Sequence, residues 1–170
     1  ILAQTNAEGT KGYLVAISCE TDFVAKNQDF VNFAQGILDV AMANSPADAD
    51  ALKALPFDGA TVNDKIFDMV GKIGEKIELS RYEMISAPKV IAYNHPGNRL
   101  ASMVGLSSAS APETAGKDVA MQIAAMNPVA VDASGVSDEM KTRERAIARE
   151  KAIAAGKPEN ILDKIADGAV

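Results

Sequence analysis

Between residues 11 and 41 the apolar residues stop recurring at every second position and begin recurring at every third or fourth. No other feature of the sequence limits the fold as much. In KGYLVAISCE (residues 11–20), Tyr13, Val15 and Ile17 alternate and Cys19 follows, which is the period of a half-buried strand. In the next segment Phe30, Phe33, Ala34, Ile37, Leu38 and Ala41 draw one stripe along a helix. A strand and a helix that each have one apolar face must bury those faces, and the nearest cover for each is the other. ILAQT at residues 1–5 is expected to pair with the strand through the turn NAEGTKG.

Further along, Asn44-Ser45-Pro46 ends the helix, because proline disfavours helix in the residue before it. A short helix is expected over roughly 47–55, with a break at 56–59. Thr61 then caps a helix carrying Val62, Ile66, Met69, Val70 and Ile73, closed by Gly74. Three strand candidates follow at 76–85, 89–94 and 99–106. Pro88 separates the first two, and His95-Pro96-Gly97-Asn98 turns the second into the third as an antiparallel hairpin. Mixed helices and strands with short links between strands predict an α+β fold. Its antiparallel sheet has about three or more strands packed against helices.

SSASAP (107–112) is the best internal boundary, and an apolar helix from Thr114 to Met126 stops at Asn127-Pro128. DVAM occurs at 39–42 and again at 118–121, each time in a helix that soon meets Asn and Pro, which raises the prospect of an internal duplication. From Ser137 the character changes. Lys141, Arg143, Glu144, Arg145, Arg149, Glu150 and Lys151 leave a thin apolar seam through Met140, Ile147 and Ile153 or Ala154. Gly156 stops this helix, and Pro158 suits the first turn of another with Ile161, Leu162 and Ile165 on one face. A charged helix with a narrow seam is expected to be a projecting, coiled-coil-like arm. Its partner would be a return helix outside this chain or another subunit. The domains read as 1–107, a core subdomain; 108–136, a helix and the start of a second core subdomain; and 137–170, a helical arm expected to continue further.

The 170 residues carry a net charge of −6, which disfavours a general nucleic-acid binder and points to protein partners. With 48% hydrophobic and 24% charged residues the chain has the composition of a folded protein. It contains no apolar run near the ~18 residues of a membrane span. One cysteine, Cys19, allows no internal disulfide. Its start at Ile-Leu-Ala suggests a fragment.

Signals for covalent chemistry are weak. His95 is the only histidine and sits in a turn. One His and one Cys do not make a zinc site, and neither Gly71-Lys72-Ile73-Gly74 nor Gly116-Lys117-Asp118 completes a phosphate loop. No cofactor or metal is expected. There remains the junction TDFVAKN (21–27), which local pattern reads in two ways. Asp22 is a favoured helix cap, and Phe23, seven residues before Phe30, would extend the buried stripe of an unbroken helix. Alternatively the regular helix starts at Asn27, and Phe23 is displayed on a turn. Pattern alone favours the cap.

The run Glu20-Thr21-Asp22-Phe23-Val24-Ala25-Lys26-Asn27 resembles the signature of the elongation factor Ts family. Lys72-Ile73-Gly74-Glu75-Lys76-Ile77, Tyr93 and His95 before Arg99, residues 118–125 (DVAMQIAA) and Gly156-Lys157-Pro158 agree in order, so the resemblance spans essentially the whole chain. It implies a guanine-nucleotide exchange factor for elongation factor Tu, a protein that makes and breaks no covalent bonds, working in the cytoplasm of a bacterium or in an organelle. It also implies that the family's small N-terminal helical domain would precede Ile1. By the same resemblance Phe23 wedges between helices of the partner GTPase. Asp22 acts near its magnesium and phosphates, and Thr21 and Val24 shape the turn. Leu100 and Ala101 add contacts from the hairpin. Gln122 matches a position often occupied by His, and its amide can still hydrogen-bond. Under this reading Phe23 is exposed. A module without exchange activity, dimerising through the helical arm, is the alternative.

Overall fold

The computed structural model describes residues 1–169. The first of two compact units, Ile1–Asn127, begins with β1 (Leu2–Thr5) and β2 (Lys11–Ser18). The helices α1 (Asp22–Ala25), α2 (Gln28–Asn44) and α3 (Ala49–Ala54) follow, and a two-residue hairpin, β3 (Pro56–Phe57) and β4 (Ala60–Thr61), leads into α4 (Val62–Ile73). The unit ends with β5 (Glu78–Ser86), β6 (Lys89–Asn94), β7 (Ala101–Leu106) and α5 (Glu113–Met126). The fold is α+β with small antiparallel sheets, as the mixed pattern predicts.

The alternating run and the helical stripe do cover each other. Tyr13, Val15 and Ile17 of β2 form one core with Phe30, Ala34, Ile37, Leu38 and Ala41 of α2. Leu52, Val62, Ile66, Ile77, Leu79 and Tyr82 complete it. Two tyrosines at its edge keep their hydroxyls satisfied. Tyr13 Oη lies 2.7 Å from Ser45 Oγ, and Tyr82 Oη donates to the Pro46 carbonyl at 3.1 Å. Burial pushes the Tyr82 phenol up to about 12.

The three later strands do not form one meander. β5 joins β1 and β2 in the order β1-β2-β5, while β6 and β7 form a separate hairpin. β5 is also irregular. Its buried residues are Leu79 and Tyr82, one step out of alternation, because the register slips by one residue between Ala16 and Ile17 of β2. Ser80 is the extra residue, and its hydroxyl donates to the Ala16 carbonyl at 3.1 Å. The bulge keeps both large side chains on the core face. The hairpin turn is also longer than the four residues HPGN. His95 N–H donates to the Leu100 carbonyl at 2.9 Å, so β7 starts at Ala101 and not at Arg99.

α5 covers the β6–β7 hairpin. A Cβ on Gly116 would lie 2.6 Å from Ile91 Cγ1, and Ser102 Oγ donates to the Ala120 carbonyl at 2.6 Å. The two DVAM helices end alike. Ser45 and Asn127 are both left-handed C-caps (φ 46° each), and both precede proline. In both copies the motif's alanine, Ala41 and Ala120, is fully buried.

The second unit starts at Pro128, so the boundary expected at 107/108 falls inside the first unit. Here α6 (Asp138–Ala154) and α7 (Glu159–Asp167) run antiparallel. Arg145 pairs with Asp167 at 3.0 Å and Arg149 with Asp163 at 3.2 Å. The return helix for the seam of α6 is therefore supplied within the chain by α7, which buries Leu162 and Ala166. The seam itself ends at Ala152 and not at Ile153 or Ala154. Ile153 is 51% exposed.

Candidate functional site

Asp22 does not cap the helix at residues 22–25. Thr21 does, with its Oγ1 accepting the Val24 N–H at 3.4 Å, and Asp22 and Phe23 open the helix. After four residues Lys26 ends it, and Asn27 restarts the chain as the cap of α2, accepting the N–H groups of Asp29 and Phe30 at 2.8 and 3.4 Å. Two caps six residues apart break what pattern alone joins into one helix. The phase of the buried stripe does not carry back past Phe30, and Phe23 is 88% exposed. Val24 is half-buried and packs on the edge of the core, anchoring the turn from beneath.

Asp22 points toward the β6–β7 hairpin. Arg99, at the end of that hairpin's turn, reaches both carboxylate oxygens, with Nη2 3.1 Å from Oδ1 and Nη1 3.4 Å from Oδ2. This is a forked contact between planar groups. Both side chains are more than half exposed, so the pair contributes little to stability, about 0–1 kcal/mol. Its effect is geometric, because it sets the hairpin end beside the turn. The next residues, Leu100 and Ala101, are therefore brought to the same end of the unit. Leu100 is 38% exposed and Ala101 half-buried.

Gln122 lies on α5 and is exposed. The contacts of Gly116 with Leu106 and of Ala120 with Ser102 show α5 running antiparallel to β7. Its C-terminal half is thus carried toward the end of the hairpin where Leu100 sits. No hydrogen bond joins Gln122 to the turn among the described contacts. His95 stays in the turn, exposed, with Nδ1 2.8 Å from Tyr93 Oη. Among the described residues no group of three or more His, Cys, Asp or Glu side chains could hold a metal ion.

Glu75, within KIGEKI, has no sequence signature of a functional residue, yet it is tied to the turn. Glu75 accepts the N–H groups of Glu20 and Thr21, both at 3.0 Å on one oxygen, and the Thr21 hydroxyl on the other. In return Glu20 accepts the Lys76 N–H at 3.1 Å. The Thr21 hydroxyl is the main cause that holds the Glu75 carboxyl below its ordinary value. Cys19, just before the turn, donates weakly to the Thr21 carbonyl at 3.5 Å, and burial pushes its thiol up, away from a reactive thiolate. The chemistry available at this end of the unit is that of a contact surface. It offers an apolar ring, a carboxylate held by a guanidinium, and a rigid backbone.

The family described as elongation factor TS matches residues 20–170. The chain is 52% identical to the elongation factor Ts of Amoebophilus asiaticus over 169 residues, which is 98% of this chain and 61% of that protein. It is also 52% identical to that of Porphyromonas gingivalis, over 92% of this chain and 57% of that protein. For the elongation factor Ts of Methylobacillus flagellatus the figure is 44% over 171 residues, or 58% of its length. The chain thus spans about three fifths of the length of the curated relatives it matches. No described helix is long and apolar enough to cross a membrane.

Proposed function

The chain belongs to the elongation factor Ts family, and from that membership we propose that it is the part of a translation elongation factor that promotes GDP release from elongation factor Tu. It does so by binding and makes or breaks no covalent bond. The observation that carries this reading is Phe23, 88% exposed at the head of a short helix that is capped and tied on both sides. A large apolar side chain held out in water on a fixed turn is costly to the free protein and useful to a partner.

The energies set the division of labour. A GTPase that holds GDP at nanomolar affinity must be relieved of roughly 12 kcal/mol. Burying one phenylalanine contributes about 1.5–3 kcal/mol, so Phe23 does not expel the nucleotide alone. The whole interface binds the nucleotide-free partner better than the GDP form, and Phe23 makes that interface selective by requiring a distorted nucleotide site. Asp22 brings negative charge toward the place where magnesium and phosphates are held, which weakens the grip on the ion. Leu100, Ala101 and Gln122 extend the contact from the hairpin and from α5.

The test is release of a fluorescent GDP analogue from elongation factor Tu, with the chain titrated over a wide concentration range. Phe23→Ala should lower the maximal acceleration roughly ten- to hundredfold, the rate equivalent of the burial energy above. A Phe23→Ala chain as effective as the parent would end the wedge reading.

A further inference from the structure

Packing does not hold the exposed ring of Phe23 in a fixed direction. α1 has four residues and buries none of them, and a helix of that length is unstable in water by itself. Half-buried Val24 anchors it from beneath and Arg99 grips Asp22, and the rest of the hold is polar contact with Glu75. One oxygen of Glu75 receives the N–H groups of Glu20 and Thr21, and the other receives the Thr21 hydroxyl. With its proton committed to Glu75, that hydroxyl turns a lone pair to the Val24 N–H, so Glu75 orients the oxygen that caps α1. Glu75 itself follows Gly74, the left-handed residue (φ 80°) that ends α4. α4 is anchored in turn by a Thr61–Asp64 capping box and by buried Val62 and Ile66. Alongside Val24 and the Asp22–Arg99 pair, the Glu75 carboxylate thus refers the direction of the ring to a helix rooted in the core.

Resting on the exchange reading above, we infer that Glu75 is a positioning residue for Phe23, fixing the turn in its partner-ready form before the partner arrives. Without this carboxylate the turn samples other conformations, and the partner binds only the competent fraction. Apparent affinity falls by that fraction. Once bound, the ring is held by the partner, so the maximal rate is retained. Loss of Glu75 therefore acts on half-saturation, and loss of Phe23 acts on the maximal rate. A side chain that merely supported the fold would not divide the effects in this way.

The experiment compares the parent chain with Phe23→Ala, Glu75→Ala and Glu75→Gln in GDP release from elongation factor Tu, and measures amide hydrogen exchange in each free chain. Glu75→Ala should raise the half-saturating concentration about tenfold and keep the maximal rate within about twofold. Glu75→Gln should recover part of the loss, since its carbonyl still accepts the two N–H groups while its amide no longer takes the Thr21 hydroxyl proton that orients the cap. The Glu20 and Thr21 amides should exchange faster in Glu75→Ala, with the Ile37 amide unchanged as the control for intact folding. The inference is overturned if Glu75→Ala leaves half-saturation unaltered while Phe23→Ala lowers the maximal rate. It is equally overturned if Gln restores no more than Ala, or if the two turn amides are indifferent to the change. A parent chain that fails to speed GDP release overturns the exchange reading first, and the ring-positioning role with it.

Discussion

Asp22 and Phe23 are adjacent, yet their surroundings differ entirely. The carboxylate is forked by Arg99 from a distant hairpin, and the ring touches almost nothing. The exposure of Phe23 follows from two short-range signals, Thr21 and Asn27, each of which caps a separate helix. Both lie in the sequence, and the reading that starts the regular helix at Asn27 uses one of them, but pattern alone favours the longer periodic helix. The clasp by Glu75 was not legible. Its partner Thr21 lies 54 residues away, and a carboxylate after a glycine C-cap carries no local signature. It does make a prediction at this scale. The Glu75 carboxyl is held below its ordinary 4.5, chiefly by the Thr21 hydroxyl. A depressed carboxylate contributes above the unfolded value, and its contribution is lost as pH falls through the lower folded value. The amide proton shift of Thr21 should therefore follow a titration whose midpoint lies below the ordinary 4.5. A midpoint at or above 4.5 would show that the clasp does not form.

Among the elements, the long periodic ones were legible and the placement of the short ones was not. α2 appears where its stripe predicts, because five core side chains on one face specify both the helix and its orientation. β5 keeps Leu79 and Tyr82 on the core face through the bulge at Ser80, and a bulge shows in sequence only as alternation out of step. Two helical glycines make the same point. Gly71 in α4 has open space where a Cβ would go, whereas at Gly116 in α5 a Cβ would lie 2.6 Å from Ile91 Cγ1. Gly71→Ala should stabilise the chain by about 0.5–1 kcal/mol through helix propensity. At Gly116 the same propensity gain meets an overpacking cost of about 1–3 kcal/mol, so Gly116→Ala should destabilise by up to about 2 kcal/mol. Urea denaturation of the two variants reads the opposite signs directly.

Taken whole, the molecule brings residues from three segments, 20–24, 75–76 and 98–101, to one end of its first unit. If that end binds elongation factor Tu and favours its nucleotide-free form, linkage fixes a reciprocal quantity. GDP must weaken binding of this chain by the same factor as the chain weakens binding of GDP. Titrations of the nucleotide-free and GDP-loaded partner should therefore give a ratio of dissociation constants equal to the ratio of GDP affinities without and with the chain. Unequal ratios would mean that more than one binding mode contributes. The alternating and helical periods, the cap and stop residues, and the ordered family motifs were enough to determine an α+β fold, the core faces and the family. These signals are local, or linear along the chain, so they survive in sequence. The tertiary structure decided which strands share a sheet, that α7 returns along α6, and that Glu75 and Arg99 hold the turn. Each of these depends on contacts between residues far apart in the chain, whose geometry exists only once the core has closed.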